Sequence, residues 1–227
     1  MDLNFKLTEC DPYSYTWNSQ NTRDVNLKIA HDGENIYMFM TIENTSLLPY
    51  KFAGIMFFDT PIMNESIEYD MIYISQGYYD DLFYSPENAQ PLSDTIAGGT
   101  INGNGTLVIV NTKLILEFYK PINVNDYFGK DLQPEINGDA FYIMIFLMEY
   151  DSTYQNMIQF YELEIDETSP NQIKFQWNLH AVKLLGAGEL PSDTDTVKIG
   201  FEFADLLIVC LSLTPIVIFI HKRRRKS

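Results

Sequence analysis

Cysteine is scarce in this chain: two in 227 residues. Cys10 lies near the start and Cys210 inside the most apolar segment, positions too unlike to pair. A disulfide framework is excluded, and cysteine usage leaves the compartment open. No CxxC or HExxH spacing offers a metal site. Basic residues are also few: 15 Lys and Arg stand against 31 Asp and Glu, a formal net charge of −16. With no basic surface to neutralise phosphates, nucleic acid is not an expected partner. Catalytic signatures are missing too. There is no GxSxG, no coherent Ser/His/Asp set, no P-loop and no dinucleotide fingerprint. Acidic pairs abound, but in so acidic a chain a pair does not mark a glycosidase. The expectation is a protein that is not an enzyme. The start, MDLNFKLTEC, lacks the basic residues and the unbroken apolar core of a signal peptide.

What the chain does have is apolar mass, 46% of its residues, with 14% aromatic, which is ample for a core. The segment 113–150 is its clearest unit. A β-branched and aromatic run, Lys113 to Tyr119, suits a pleated, half-buried surface. Pro121 fixes φ and removes a ladder donor, so the strand should end there. Gly138-Asp139 then leads into Ala140 to Tyr150, apolar almost throughout, as a strand buried on both faces would be. Earlier, Val25 to Ile29 alternates, His31 to Asn35 has turn composition, and Ile36 to Ile42 resumes, which predicts a hairpin. Lys51 to Phe58, Tyr69 to Ser75, Thr106 to Val110, Met157 to Ile165 and Ile173 to Leu179 are further strand candidates. Asp2 to Asn21 reads as a lead-in with at most one edge strand, and Trp17 as a cap on the core. Gln76 to Asn104 reads as a long polar loop. Short strands, frequent turns and no amphipathic helix of ordinary length predict an all-β, antiparallel β-sandwich.

Beyond residue 185 the character changes. Gly, Pro, Ser and Asp make 186–202 a linker, 203–220 is almost wholly apolar, and HKRRRKS follows. The apolar stretch is near the lower limit for a transmembrane helix, and the basic run after it suits a stop-transfer anchor. Pro215 is tolerated in such a helix. The expected organisation is an extracytoplasmic β-sandwich over 1–185, a linker, a single-pass helix and a basic cytoplasmic tail over 221–227. The membrane is then a partner through that helix. Asn44, Asn64 and Asn104 open N-glycosylation triplets, which agrees with an outside location.

Three pieces follow in order: HDGENIYMFMTI, then GIMFFDT with YDMIYIS, then LEFYKPINVNDYFGKDLQPEINGDAFYIMIFLMEY. This order resembles the DOMON-like superfamily, which includes DOMON domains, the haem-binding subunit of ethylbenzene-dehydrogenase type and family 9 carbohydrate-binding modules. In that group a strand ends in a basic residue plus Pro, an acidic loop follows, and a Gly-started strand returns. Lys120-Pro121, Asp126, Asp131 and Gly138 occupy those places here, and the likeness spans roughly Asp24 to Leu179.

The resemblance implies a ligand held in or beside the sandwich, haem b or sugar most often. For a carbohydrate or small molecule, Tyr78, Tyr79, Asp80, Asp81, Phe83 and Tyr84 offer aromatic platforms among short acids. For haem b, an electron-transfer alternative, the axial candidates are Met63 or Met71 with His180. The place where haem-carrying relatives have their His, Asp151 to Asn156, holds none. Asp59, Asp70, Asp80 and Asp81 supply oxygens suited to Ca²⁺, without the spacing of a known loop. The leading expectation is a membrane-anchored, cell-surface ligand-binding module with no required cofactor. A structural or adhesive surface module is the other alternative.

Overall fold

The computed structural model describes residues 1–11, 16–60, 68–88, 91–124, 131–153, 157–166, 174–185 and 196–200. These residues form an all-β, antiparallel structure. In chain order the strands are β1 (Asp2–Asp11), β2 (Thr16–His31), β3 (Asn35–Ile42), β4 (Tyr50–Phe58), β5 (Tyr69–Ser75), β6 (Tyr78–Tyr84) and β7 (Leu92–Ser93). They continue as β8 (Asn104–Val110), β9 (Lys113–Pro121), β10 (Phe141–Tyr150), β11 (Met157–Tyr161), β12 (Leu163–Asp166), β13 (Lys174–Val182) and β14 (Thr196–Gly200). One helical turn, α1 (Asp94–Ala97), follows β7.

The sequence predicts two stacked sheets, and the strands instead make one continuous sheet. Its path is β7-β6-β5-β4-β10-β11-β1-β2-β3-β9-β8, with β13 branching from β10 to carry β12 and β14. The sheet curls into a half-barrel. Its two ends meet, because Gly105 of β8 faces the Ile74 and Tyr79 side chains of β5 and β6. Strand twist accumulates over this many strands, so a sheet of this width curls rather than staying flat.

Strand alternation sorts the apolar residues into two cores. Inside the curl, Leu27, Met40, Ile55, Ile72, Leu116 and Ile145 belong to one buried cluster. On the other face of β4, β5 and β10, Phe52, Met56, Tyr73, Met144, Phe146 and Tyr150 belong to a second. This second cluster is why β10 is apolar almost throughout, as its sequence predicts. β10 pairs with β4 along one edge, while its other edge is shared by β13 and β11. The two-sided burial holds buried charge as well. Arg23 donates to Glu149 at 3.2 and 3.1 Å, and its guanidinium lies 4.1 Å from the Phe160 ring centre. The Ser46 amide also donates to Glu149.

The predicted hairpins are present: β2 with β3, and β8 with β9 across Asn111-Thr112, where Asn111 takes a φ of 57°. The β9 strand ends at Pro121, as expected. Three expectations are corrected. The lead-in is β1, which pairs with β2 along its length and with β11 at Thr8 and Glu9, so it is no edge. The supposed loop 76–104 holds β6, β7 and α1. Gln76-Gly77 turns the chain straight back, since Gly77 accepts a φ of 70°. Within the expected linker, Thr196–Gly200 pairs with β13. No helix among the described residues is long and apolar enough to cross a membrane. The apolar stretch 203–220, the basic tail and the Trp17 side chain lie outside the described residues.

Candidate functional site

The six residues expected to form an exposed platform lie on β6. Tyr79 packs on the inner core, and Leu82 and Tyr84 sit in the outer one. Strand alternation therefore sends Tyr79, Asp81 and Phe83 inward, and Tyr78, Asp80 and Tyr84 outward. Phe83 and Tyr84 are 5% exposed, and Tyr84 stacks on Tyr69 with ring centres 4.7 Å apart. Tyr78 Oη donates to Asp80, which also accepts from Ser93 Oγ at 2.8 Å. Tyr79 Oη donates to the Asn102 carbonyl at 2.8 Å. The expectation of a solvent-facing loop platform is corrected: four of the six are buried and none forms an open aromatic surface.

Asp81 instead joins a buried ionic cluster. Lys120 shares a strand face with Leu114, Leu116 and Phe118, so its ammonium points into the curl. There Nζ lies 3.1 Å from Asp70 Oδ2, 3.0 and 3.1 Å from the two Asp81 oxygens, and in contact with Asp131 Oδ1. No member's side chain is more than 4% exposed. The Asn102 amide donates to Asp81 Oδ2 at 3.1 Å, and its Nδ2 to Asp131 Oδ2 at 3.1 Å. The Leu132 amide donates to Asp70 Oδ2 at 3.1 Å. Burial, and then the Asp70 charge, push the Asp81 carboxyl up to about 9, against the pull of Lys120. Burial likewise raises Asp70. Burial alone would lower the Lys120 ammonium, but the Asp70, Asp81 and Asp131 charges together outweigh it and hold it well above the ordinary lysine range.

Carboxylate oxygens of Asp70, Asp81 and Asp131 lie within 4.8 Å of one another, a spacing a hard cation would accept. The Lys120 ammonium already bonds to all three, so these residues do not fit Ca²⁺ as arranged. Of the expected Ca²⁺ donors, Asp70 and Asp81 converge there, but Asp80 leaves β6 on the opposite face from Asp81. The haem candidates also stay apart. Met71 packs in the outer core, whereas His180 stacks near Phe5 on the inner side and pairs with Glu162 at 2.8 Å. The sheet separates them, so one porphyrin could not take both. Met63 lies outside the described residues.

A groove opens on the outer face of β2, β3, β9 and β8, with a volume of about 540 Å³. That lies within the usual range for ligand sites, about 300–1,000 Å³. Register aligns its residues in two rows across the strands. One row is Asn104, Tyr119, Tyr37 and Ala30; the next is Thr106, Glu117, Phe39 and Lys28. Tyr37 and Tyr119 are 42% and 39% exposed, with ring centres 6.2 Å apart. Tyr37 is fixed from outside the groove. Asp32 accepts from the Glu34 and Asn35 amides and from Tyr37 Oη at 2.7 Å. The Asn35 amide, then Tyr37, then the Glu34 amide hold the Asp32 carboxyl down to about 2. The sequence carried a signal for this groove. Tyr37, Phe39 and Tyr119 sit at the polar parity of strands whose other parity is apolar.

No protein-family model matches the chain, and no curated protein matches it.

Proposed function

We propose that this chain is a membrane-anchored cell-surface binding module of DOMON-like type that takes carbohydrate on the groove of β2, β3, β9 and β8. One observation carries the reading: half-exposed Tyr37 and Tyr119, with Phe39, lie side by side among Lys28, Glu117, Asn104 and Thr106. Sugar rings present apolar C–H faces and hydroxyl edges, and this surface answers with aromatic faces and alternating donors and acceptors. The four strands span roughly 14 Å, at ~4.8 Å between neighbours, so the rows extend beyond a single ring. Aromatic side chains bind at low entropic penalty because they have few rotors. The DOMON likeness adds the Lys120-Pro121 unit and its acidic return through Asp131. The anchor rests on the apolar 203–220 stretch and the basic residues after it.

The test is a glycan array probed with the full chain in detergent. Binding to a defined glycan class, lost on Tyr37→Ala with Tyr119→Ala, is the expected result. A blank array, or binding unchanged in the double variant, overturns the reading and leaves a structural surface module.

A further inference from the structure

The groove makes no use of the buried cluster at Lys120. Its geometry brings a primary amine and a carboxyl into direct contact with solvent excluded. Lys120 Nζ touches Asp131 Oδ1, and neither side chain is more than 4% exposed. We propose that these two residues close to an intramolecular isopeptide bond, an amide between Lys120 Nζ and Asp131 Cγ, with release of one water. The bond is independent of the carbohydrate reading.

Three features favour closure. The first is proximity. The amine is held by the end of β9 and the carboxyl by Asp131, between β9 and β10, and positioned pairs reach effective molarities of ~10⁵–10⁸ M. The second is polarisation. Asn102 Nδ2 donates to Asp131 Oδ2, the atom on which negative charge develops when Cγ is attacked. The third is a proton carrier. Asp81 holds both oxygens on Nζ, and its carboxyl stays protonated at neutral pH because burial, and then Asp70, raise it to about 9.

The step balances. A proton passes from the Lys120 ammonium to Asp131 Oδ1, giving free amine and carboxylic acid. The amine lone pair attacks Cγ, and the C=O electrons move onto Oδ2. Asp81 gives its proton to the Oδ1 hydroxyl, the C–O bond breaks, and water leaves as Oδ2 regains its double bond. Asp81 then recovers a proton from Nζ. The sum is ammonium plus carboxylate to amide plus water, with no oxidant or reductant. The neutral pair is the minor form, and departure of water draws it off. A cavity of about 330 Å³ bordered by Asp70 and Asp131 gives that water a way out. In a chain without a disulfide framework, the amide would tie the end of β9 to Asp131, eleven residues after Lys120.

The test is mass spectrometry of the full chain made in bacteria. The chain is expected to be lighter than its sequence mass by one water. Trypsin cuts after Lys130 and not at Lys120-Pro121, so two peptides should emerge joined through Lys120 and Asp131. Asp81→Asn is expected to keep its full sequence mass. Two separate peptides at full mass, a water loss that maps to Asp32-Gly33, or a loss that persists in Lys120→Arg overturns the proposal. A joined pair in Asp81→Asn at the wild-type yield removes the role given to Asp81.

Discussion

Tyr37 Oη donates a hydrogen bond of 2.7 Å to Asp32 Oδ2, and this bond links the β2–β3 turn to the groove. Asp32 is itself fixed by two turn amides, so the phenol is held by a rigid acceptor rather than by a mobile side chain. The ring face stays turned toward the space beside Tyr119. Preorganisation of this kind lowers the entropy lost on binding.

Asp32→Ala should therefore weaken glycan binding without touching any ligand atom. Loss of one positioning bond is worth ~1 kcal/mol, which is about fivefold in affinity. Calorimetric titration of the variant measures it. Affinity equal to wild type would show that the turn does not orient the ring.

Much of the fold is legible in the sequence because β2, β3, β8 and β9 each bury one face. Their alternation and their Gly or Asn turns are local signals. β6 is not legible because YYDDLFY places two acids where a strand face should be apolar. Those acids are satisfied by partners that the strand pattern does not announce: Asp81 by Lys120, 39 residues away, and Asp80 by Ser93 and the neighbouring Tyr78. The path of the sheet depends on pairings such as β4 with β10 and β3 with β9, which leave no mark on either strand alone. Lys120 and Asp131 enter the sequence reading only as places in a family pattern. The contacts of Lys120 with Asp70 and Asp81 need the curl that brings β9 near β5 and β6.

Glu149→Gln should cost about 3–5 kcal/mol of stability, because it leaves Arg23 buried without its charge partner. Arg23 and Glu149 side chains are 6% and 0% exposed. Urea denaturation of the variant against wild type gives the value. A loss below ~1 kcal/mol would mean that water or another acceptor replaces the carboxylate.

Stability should fall as pH rises. The unfolded Asp81 carboxyl loses its proton near pH ~3.9, whereas the folded one keeps it to about 9. Between those values the folded state binds the extra proton, so unfolding becomes easier with each step upward. The stability that this proton confers is complete below the unfolded pKa and is gone above the folded one. The direction holds whether or not the Lys120–Asp131 amide is closed, since burial and Asp70 act on Asp81 in both forms. Urea midpoints at pH 5, 7 and 9 should descend, and Asp81→Asn should flatten the series. A midpoint that climbs with pH across this window would contradict the burial of a neutral Asp81.

The groove itself is tested most directly by calorimetric titration of the glycan selected on the array into wild type and Tyr119→Ala. Tyr119 is half-exposed and central in its row, so truncation removes stacking surface while leaving both cores intact. The loss should be ~1–2 kcal/mol, or about five- to thirtyfold in Kd, with thermal stability unchanged. Equal affinity in the two proteins would contradict the account and place the ligand elsewhere.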